Sequence, residues 1–221
     1  MSEILPGVHQ VEGVDPSPDF TTHVYLVEDR TRGWTLVDTG LPSAYNAIVA
    51  YLKKIGVPPT DVKQILITHL HNDHTGTLER LAQLTHAKTY AHWVEAPYIA
   101  GNPRYDGPGH PPEHPTKVSN TFKDGDELPF GGDLVAYHTP GHTPGSATYY
   151  SPSTKVAFCG DLFMGIPKLG LTVPEYTQHT LTAQISARRV AALGAESILC
   201  HHGGPFLKGA GAELNALVRS F

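Results

Sequence analysis

Thr68-His69-Leu70-His71-Asn72-Asp73-His74 sets four side chains able to bind a metal within six residues, at the end of the short apolar run 64–68. In an extended chain alternate residues share a face, so His69 and His71 project to the same side and two imidazoles can reach one ion. As the chain turns from strand into helix, Asp73 and His74 can face a second ion nearby. A lone surface histidine is ordinarily not a ligand. Four ligating groups together at a strand end have no comparable explanation from packing.

Working outward, apolar runs at 9–14, 23–27 and 34–37, separated by Asp, Pro and Gly, read as an antiparallel strand meander that Asp38-Thr39-Gly40 terminates. Ala44, Ile48, Tyr51, Leu52 and Ile55 follow helical spacing, and Gly56, Pro58 and Pro59 supply the stop. On the far side of the histidine segment, Leu78, Leu81 and Leu84 mark a second amphipathic helix, followed by a strand at 88–92. The stretch 97–115 is rich in Pro, Gly, Tyr and His with no apolar period. It reads as an ordered surface loop, either a substrate lid in which Tyr98 and Tyr105 contact substrate or a solvated insertion. Strands resume at 133–138, 146–150 and 156–159; a helix follows around 181–193, then a strand at 197–200 and a short helix containing Leu214, Leu217 and Val218. Strands followed by helices, twice over and without a low-complexity linker, predict one α+β domain over 1–221 with two sheets face to face and helices outside.

The 221 residues are 40% hydrophobic, enough for a sizeable core, and only 17% charged, while 22 Gly and 19 Pro imply many shaped turns. A formal charge of −5 and the lack of any Lys/Arg cluster exclude a basic nucleic-acid footprint and disfavour polyanionic substrates. The start MSEILPGVHQ lacks the basic and apolar regions of a secretory signal, and no apolar run approaches the roughly 20 residues of a membrane span. A soluble, cytoplasmic protein without a membrane partner is expected. Cys159 and Cys200 are too few for a disulfide framework and read as buried thiols, whereas 14 histidines are unusual for packing alone.

The 69–74 segment resembles the His-x-His-x-Asp-His signature of the metallo-β-lactamase-fold superfamily. The resemblance extends along the chain: His142 lies in His138-Thr139-Pro140-Gly141-His142-Thr143-Pro144-Gly145-Ser146, Asp161 in Phe158-Cys159-Gly160-Asp161, and His202 in His201-His202-Gly203-Gly204. Asp38, in Val37-Asp38-Thr39-Gly40, is similar to the family's early acidic turn, which supports the site from outside the ligand set. The resemblance implies an αββα sandwich of two mixed β-sheets. It also implies two divalent metal ions, one on His69, His71 and His142 and the other on Asp73, His74 and His202, with Asp161 between them. Nitrogen and carboxylate donors without thiolate suit zinc, and also iron or manganese. The implied chemistry is hydrolysis by a hydroxide shared between the ions, with Asp73 or Asp161 as the catalytic carboxylate that passes a proton to the leaving group. Of the consecutive pair His201 and His202, only one is expected to face the site, and the family's His-Gly pattern selects His202. His138 is expected in the core or behind the ligands, and His92, His110, His114 and His179 have no metal-like spacing.

Several branches of the family fit poorly. β-Lactamases of this fold replace the bridging aspartate, and flavodiiron proteins carry Glu in place of the second histidine. Glyoxalase II enzymes have a helical glutathione-binding domain for which the short stretch after His202 leaves no room, and nuclease branches insert an arm or an extra domain. The pattern that remains is similar to compact lactonases and esterases. The expected substrate is a small molecule, a lactone or carboxylic ester with an apolar acyl part, held against Phe20, Phe163, Met164, Leu169 and Leu171. Met164 stands where acyl-homoserine-lactone lactonases often place a tyrosine, which argues against that substrate in particular. A mononuclear iron persulfide dioxygenase, a thioester hydrolase and a phosphotriester hydrolase are the alternatives, and a homodimer is compatible with the sequence.

Overall fold

The computed structural model of the chain describes residues 1–12, 21–102, 104–165 and 168–221. A seven-stranded sheet is built from β1 (Ser2–Leu5), β2 (Val8–Glu12), β3 (His23–Asp29), β4 (Gly33–Val37), β5 (Val62–Leu66), β6 (Lys88–His92) and β7 (Asn120–Phe122), in that spatial order. The first four strands run as an antiparallel meander, and β4 to β7 pair in parallel. Parallel neighbours need crossovers. These are α1 (Ala44–Lys54) between β4 and β5, then α2 (Asn72–Thr75) and α3 (Leu78–Thr85) between β5 and β6, and α4 (Ala96–Ile99) after β6.

The second sheet holds β8 (Asp126–Glu127), β9 (Val135–His138), β10 (Ala147–Ser151), β11 (Val156–Gly160) and, after α5 (Thr180–Ala192), the parallel edge strand β14 (Ser197–Cys200). A small hairpin of β12 (Phe163–Gly165) and β13 (Leu169–Leu171) stands apart, and α6 (Ala210–Val218) ends the element order. Both large sheets are mixed.

Side-chain alternation sorts the strands into three cores. On β3, Tyr25 and Val27 face the second sheet while Val24 and Leu26 face α1 and α3; on β11, Val156 and Phe158 face inward while Ala157 and Cys159 face α5 and α6. One cluster therefore lies between the sheets, and one lies under each helical layer, which is the αββα sandwich. The buried stripe of α1, Ala44, Ile48, Tyr51 and Leu52, is the face predicted from its spacing. Cys159 and Cys200 are buried free thiols in the cluster under α5 and α6.

The histidine-delivering strand ends at Leu66, two residues earlier than its apolar run suggests, because 67–71 leave the ladder to build the site. The strands β1, β7, β8, β12 and β13 have no counterpart in the sequence reading: they are two to four residues long, too short for alternation to register. The 97–115 stretch begins inside α4 rather than as pure loop.

Candidate metal centre

All seven ligand candidates sit at strand ends on one rim of the sandwich. His69 and His71 leave the end of β5, and α2 carries Asp73 and His74 round a single turn. His142 is in the connection from β9 to β10, Asp161 follows β11, and His202 follows β14. Gly160 lets Asp161 approach: a Cβ there would lie 2.5 Å from the Thr68 Oγ1, and its φ of +50° is one that side-chain-bearing residues avoid.

Hydrogen bonding assigns the tautomers. The Asp38 carboxylate accepts from the Thr68 N–H at 2.8 Å, the Thr68 hydroxyl at 2.8 Å and His74 Nδ1 at 2.8 Å. Since the Thr68 hydroxyl donates to Asp38, it accepts from His69 Nδ1 at 3.1 Å. His71 Nε2 donates to the carbonyl of Pro108 at 2.9 Å. In the neutral rings of His69 and His71, each proton so placed leaves the opposite ring nitrogen as a bare lone pair. Those two nitrogens converge with His142 Nε2: His69 Nε2 lies 3.0 Å from His71 Nδ1 and 3.1 Å from His142 Nε2, and the latter two are 3.0 Å apart.

Beside this triad lies a second group. His74 Nε2 stands 3.3 Å from an Asp161 oxygen and 3.7 Å from Asp73, and His202 Nε2 stands 3.0 Å from Asp73 and 3.4 Å from Asp161. Asp161 Oδ2 also lies 3.7 Å from His142 Nε2, so its carboxylate touches both groups. His201 departs from the expectation that only one of the pair faces inward. Its ring lies 3.7 Å from that of His74, and its Nε2 is 3.7 Å from Asp73. The chain leaves the strand ladder at Cys200, so strand alternation no longer separates the two residues. His202 makes the shorter contacts.

This donor set fits metal ions. Adjacent lone pairs repel unless a cation lies between them, and bonds of about 2.0–2.1 Å from nitrogen to zinc suit donors about 3 Å apart. His74 Nε2 and Asp161 Oδ1 are buried 3.3 Å apart and neither makes an aligned hydrogen bond, the state of groups whose partner is an ion. Burial pushes the His69 and His71 imidazoles down and His142 down to about 3, so all three are neutral donors at pH 7. Burial opposes ionisation of Asp161 and Asp73, but the imidazoles of His202 and His74 override it and hold both carboxyls low. In turn Asp161, Asp38 and Asp73 overcome the burial of His74 and raise it, and the two carboxylates nearest His202 raise it to about 10. Metal binding at the second group would therefore expel protons.

The residues matched by the metallo-beta-lactamase superfamily, 17–202, span every one of these ligands. The chain belongs to the metallo-beta-lactamase superfamily. A probable metallo-hydrolase, YflN of Bacillus subtilis, is 26% identical over 90% of this chain and 87% of its own length. A hydroxyacylglutathione hydrolase of Pseudomonas aeruginosa is 29% identical over 86% of this chain, which covers 65% of that protein. Among solved structures, a metallo-beta-lactamase family protein of Thermus thermophilus, TTHA1429, superimposes with a TM-score of 0.72 at 26% identity, over 99% of this chain and 80% of that one.

On this metallo-beta-lactamase scaffold a cavity of about 540 Å³ opens onto His71, Asp73, His142, Asp161 and His202. Of the proposed substrate contacts among the described residues, only Met164 lines it. Phe163 and Leu169 are buried in the core under α5 and α6, as expected of alternate residues in a hairpin whose other face meets the cavity. Tyr98 packs on the core beneath α1 and α3, and Phe20 lies outside the described residues. Tyr105 is not at the cavity wall but behind the site: its hydroxyl donates to the Pro108 carbonyl at 2.8 Å, the same oxygen that His71 uses. The 97–115 loop does reach the cavity, through Gly109, His110, Pro111 and Glu113. It is fastened to the ligand segment by Asn72 N–H to His110 O at 2.9 Å and Glu113 N–H to Asn72 Oδ1 at 3.1 Å. Asn72, Leu41, Thr172 and Tyr176 also line the wall; Leu41 and Thr172 lie in loops and Tyr176 ends a one-turn 3-10 helix, and no periodicity in the sequence marks them.

Glu95 also escaped the sequence reading. It is fully buried and accepts three hydrogen bonds, and burial raises its carboxyl to about 7 against the pull of those donors. His138 takes its expected place behind the ligands, donating Nε2 to the Pro144 carbonyl at 2.9 Å and stacking on His92.

Proposed function

We propose that the chain is a dinuclear, zinc-dependent hydrolase of uncharged lactones or carboxylic esters carrying an apolar acyl part. The observation that carries this reading is the cavity wall. Leu41, Pro111, Met164 and Tyr176 line it beside the metal ligands, and no Lys or Arg is among its lining residues. Zinc ions bound in such a site supply Lewis-acid activation of water and of the carbonyl oxygen. The chain's own contribution is to hold three neutral imidazoles on one side and an ionised carboxylate between the two groups. Asp73 adds a proton carrier: its side chain is 24% exposed and lines the cavity, whereas Asp161 at 7% is enclosed. Asp73 Oδ2 can therefore accept a proton from the attacking water and deliver it to the departing alkoxide. The apolar wall holds the acyl chain and excludes competing water.

Similarity to a hydroxyacylglutathione hydrolase makes a thioester the second reading. A cavity with no Lys or Arg among its described lining residues is a poor match for the two carboxylates of glutathione, which favours the uncharged ester. The experiment is a panel of lactones, esters of increasing acyl length, a glutathione thioester and a phosphotriester, run with the zinc and manganese forms with oxygen excluded. Hydrolysis of lactones or esters is expected, lost with a chelator, with KM falling about four-fold, equivalent to about 0.8 kcal/mol, for each methylene that becomes fully buried. Preference for the glutathione thioester would move the assignment to the second reading. In a parallel aerobic assay of the iron form, oxygen consumption with a persulfide, alongside a zinc form inert on every ester and lactone, would overturn hydrolysis altogether.

A further inference from the structure

Glu95 follows β6, on an element that supplies no metal ligand, and is 0% exposed. Its Oε1 accepts the backbone N–H of Leu70 at 2.8 Å and the Thr143 hydroxyl at 2.6 Å, and its Oε2 accepts the N–H of Gly145 at 2.7 Å. Leu70 lies between His69 and His71, and Thr143 follows His142. One carboxylate thus ties together two loops, from different sheets, that carry the three converging imidazoles. Among the described residues no cation pairs with it. A buried carboxyl without a counter-charge is costly and has no packing advantage over an apolar side chain of the same size. Ionised, it offers acceptors alone, matched to three donors.

We propose that Glu95 is a positioning residue that locks the 69–71 and 142–145 segments against each other, so that His69, His71 and His142 present their nitrogens at metal-binding spacing before the ion arrives. The inference rests on the metal-centre reading and adds to it a residue outside the ligand set. Ligand supports of this kind typically govern metal affinity by about 10- to 100-fold. Glutamine keeps the shape but turns an N–H₂ toward one of the three donors, so one backbone N–H loses its acceptor.

The test measures zinc affinity of the full-length chain by chelator competition, and the absorption spectrum of the cobalt(II) form, for Glu95→Gln and for Leu214→Ala, a core substitution under α6 that loosens the fold away from the site. Expected for Glu95→Gln is a loss of zinc affinity of about ten-fold or more with a changed cobalt spectrum, while Leu214→Ala keeps both. Unchanged affinity and spectrum in folded Glu95→Gln, or an equal loss in Leu214→Ala, would overturn the proposal. Thr143→Val, which removes one donor, is expected to weaken zinc binding in the same direction but less; if Glu95→Gln fails to fold, unchanged affinity in Thr143→Val overturns the proposal. Failure of the unaltered chain to bind zinc would overturn the metal reading, and the role of Glu95 with it.

Discussion

His71 shows how much chemistry rests on single atoms. Its Nε2 donates to the Pro108 carbonyl, and that bond commits Nδ1 to the metal side. Gly109 comes next, with φ +89° and no space for a side chain: a Cβ would sit 2.4 Å from His71 Nε2. Gly109→Ala is therefore expected to lower metal affinity by about 10- to 100-fold, through displacement of a ligand it never touches covalently; dialysis against zinc buffers measures it, and an unaltered affinity would show that the loop is not needed to hold His71. For the consecutive histidines, His202→Ala should cost more turnover than His201→Ala, since His202 makes the closer contacts to both carboxylates and lines the cavity. The reverse order in steady-state rates would exchange their roles. A histidine outside the ligand set contributes to acid stability. Burial, and then the His138 ring stacked 3.9 Å away, push His92 down to about 4, and neither of its ring nitrogens has a hydrogen-bond partner. The unfolded chain, with an imidazole near about 6.5, binds more protons than the fold between these values. Its contribution is therefore complete above the unfolded value and is lost as pH falls toward 4. His92→Phe keeps a ring and removes the titration, so its melting temperature should fall less than that of the unaltered chain between pH 6.5 and 4; parallel falls would contradict this.

At the level of elements, alternation does most of the structural work. Ile48 on α1 is 1% exposed in the core beneath that helix, whereas Leu181 on α5 is 75% exposed. Ile48→Ala should cost about 2–5 kcal/mol in denaturant unfolding and Leu181→Ala less than about 0.5 kcal/mol. Comparable losses would mean that the helical layers are not organised as described. The same contrast explains what could be read beforehand. The stripe of α1 and the strand Lys88–His92 were legible because their side chains repeat at the period of the element, and Ser197–Cys200 was legible as a short run buried throughout. Asp126–Glu127 and Asn120–Phe122 were not, because backbone pairing to a neighbour, rather than any pattern in two or three side chains, makes them strands. The ligands were legible through four groups in six residues and the motifs that follow. Glu95 was invisible: a single carboxylate becomes important only when two distant loops meet around it. Phe163 and Leu169 were misplaced for a related reason, since apolar residues near a site look alike in sequence whether they face cavity or core.

Across the whole molecule, two mixed sheets bring seven candidate ligands from four separate connections to one rim, and the loop that reaches the cavity is fastened to the 69–74 segment. Among the described residues no helix is long and apolar enough to cross a membrane. Because the unfolded chain has no preformed site, bound metal stabilises the fold, and a chelator should lower the melting temperature as well as abolish hydrolysis. The two groups, His69, His71 and His142 on one side and Asp73, His74 and His202 on the other, share Asp161, so Asp161→Ala should lose turnover more completely than it loses metal. Near-normal turnover in that variant would remove the bridging role. The most direct test is elemental analysis of the chain after reconstitution with excess zinc and removal of unbound metal: about two zinc ions per chain are expected, because seven ligands exceed what one four- or five-coordinate ion can use. A content that stays near one would contradict the dinuclear centre.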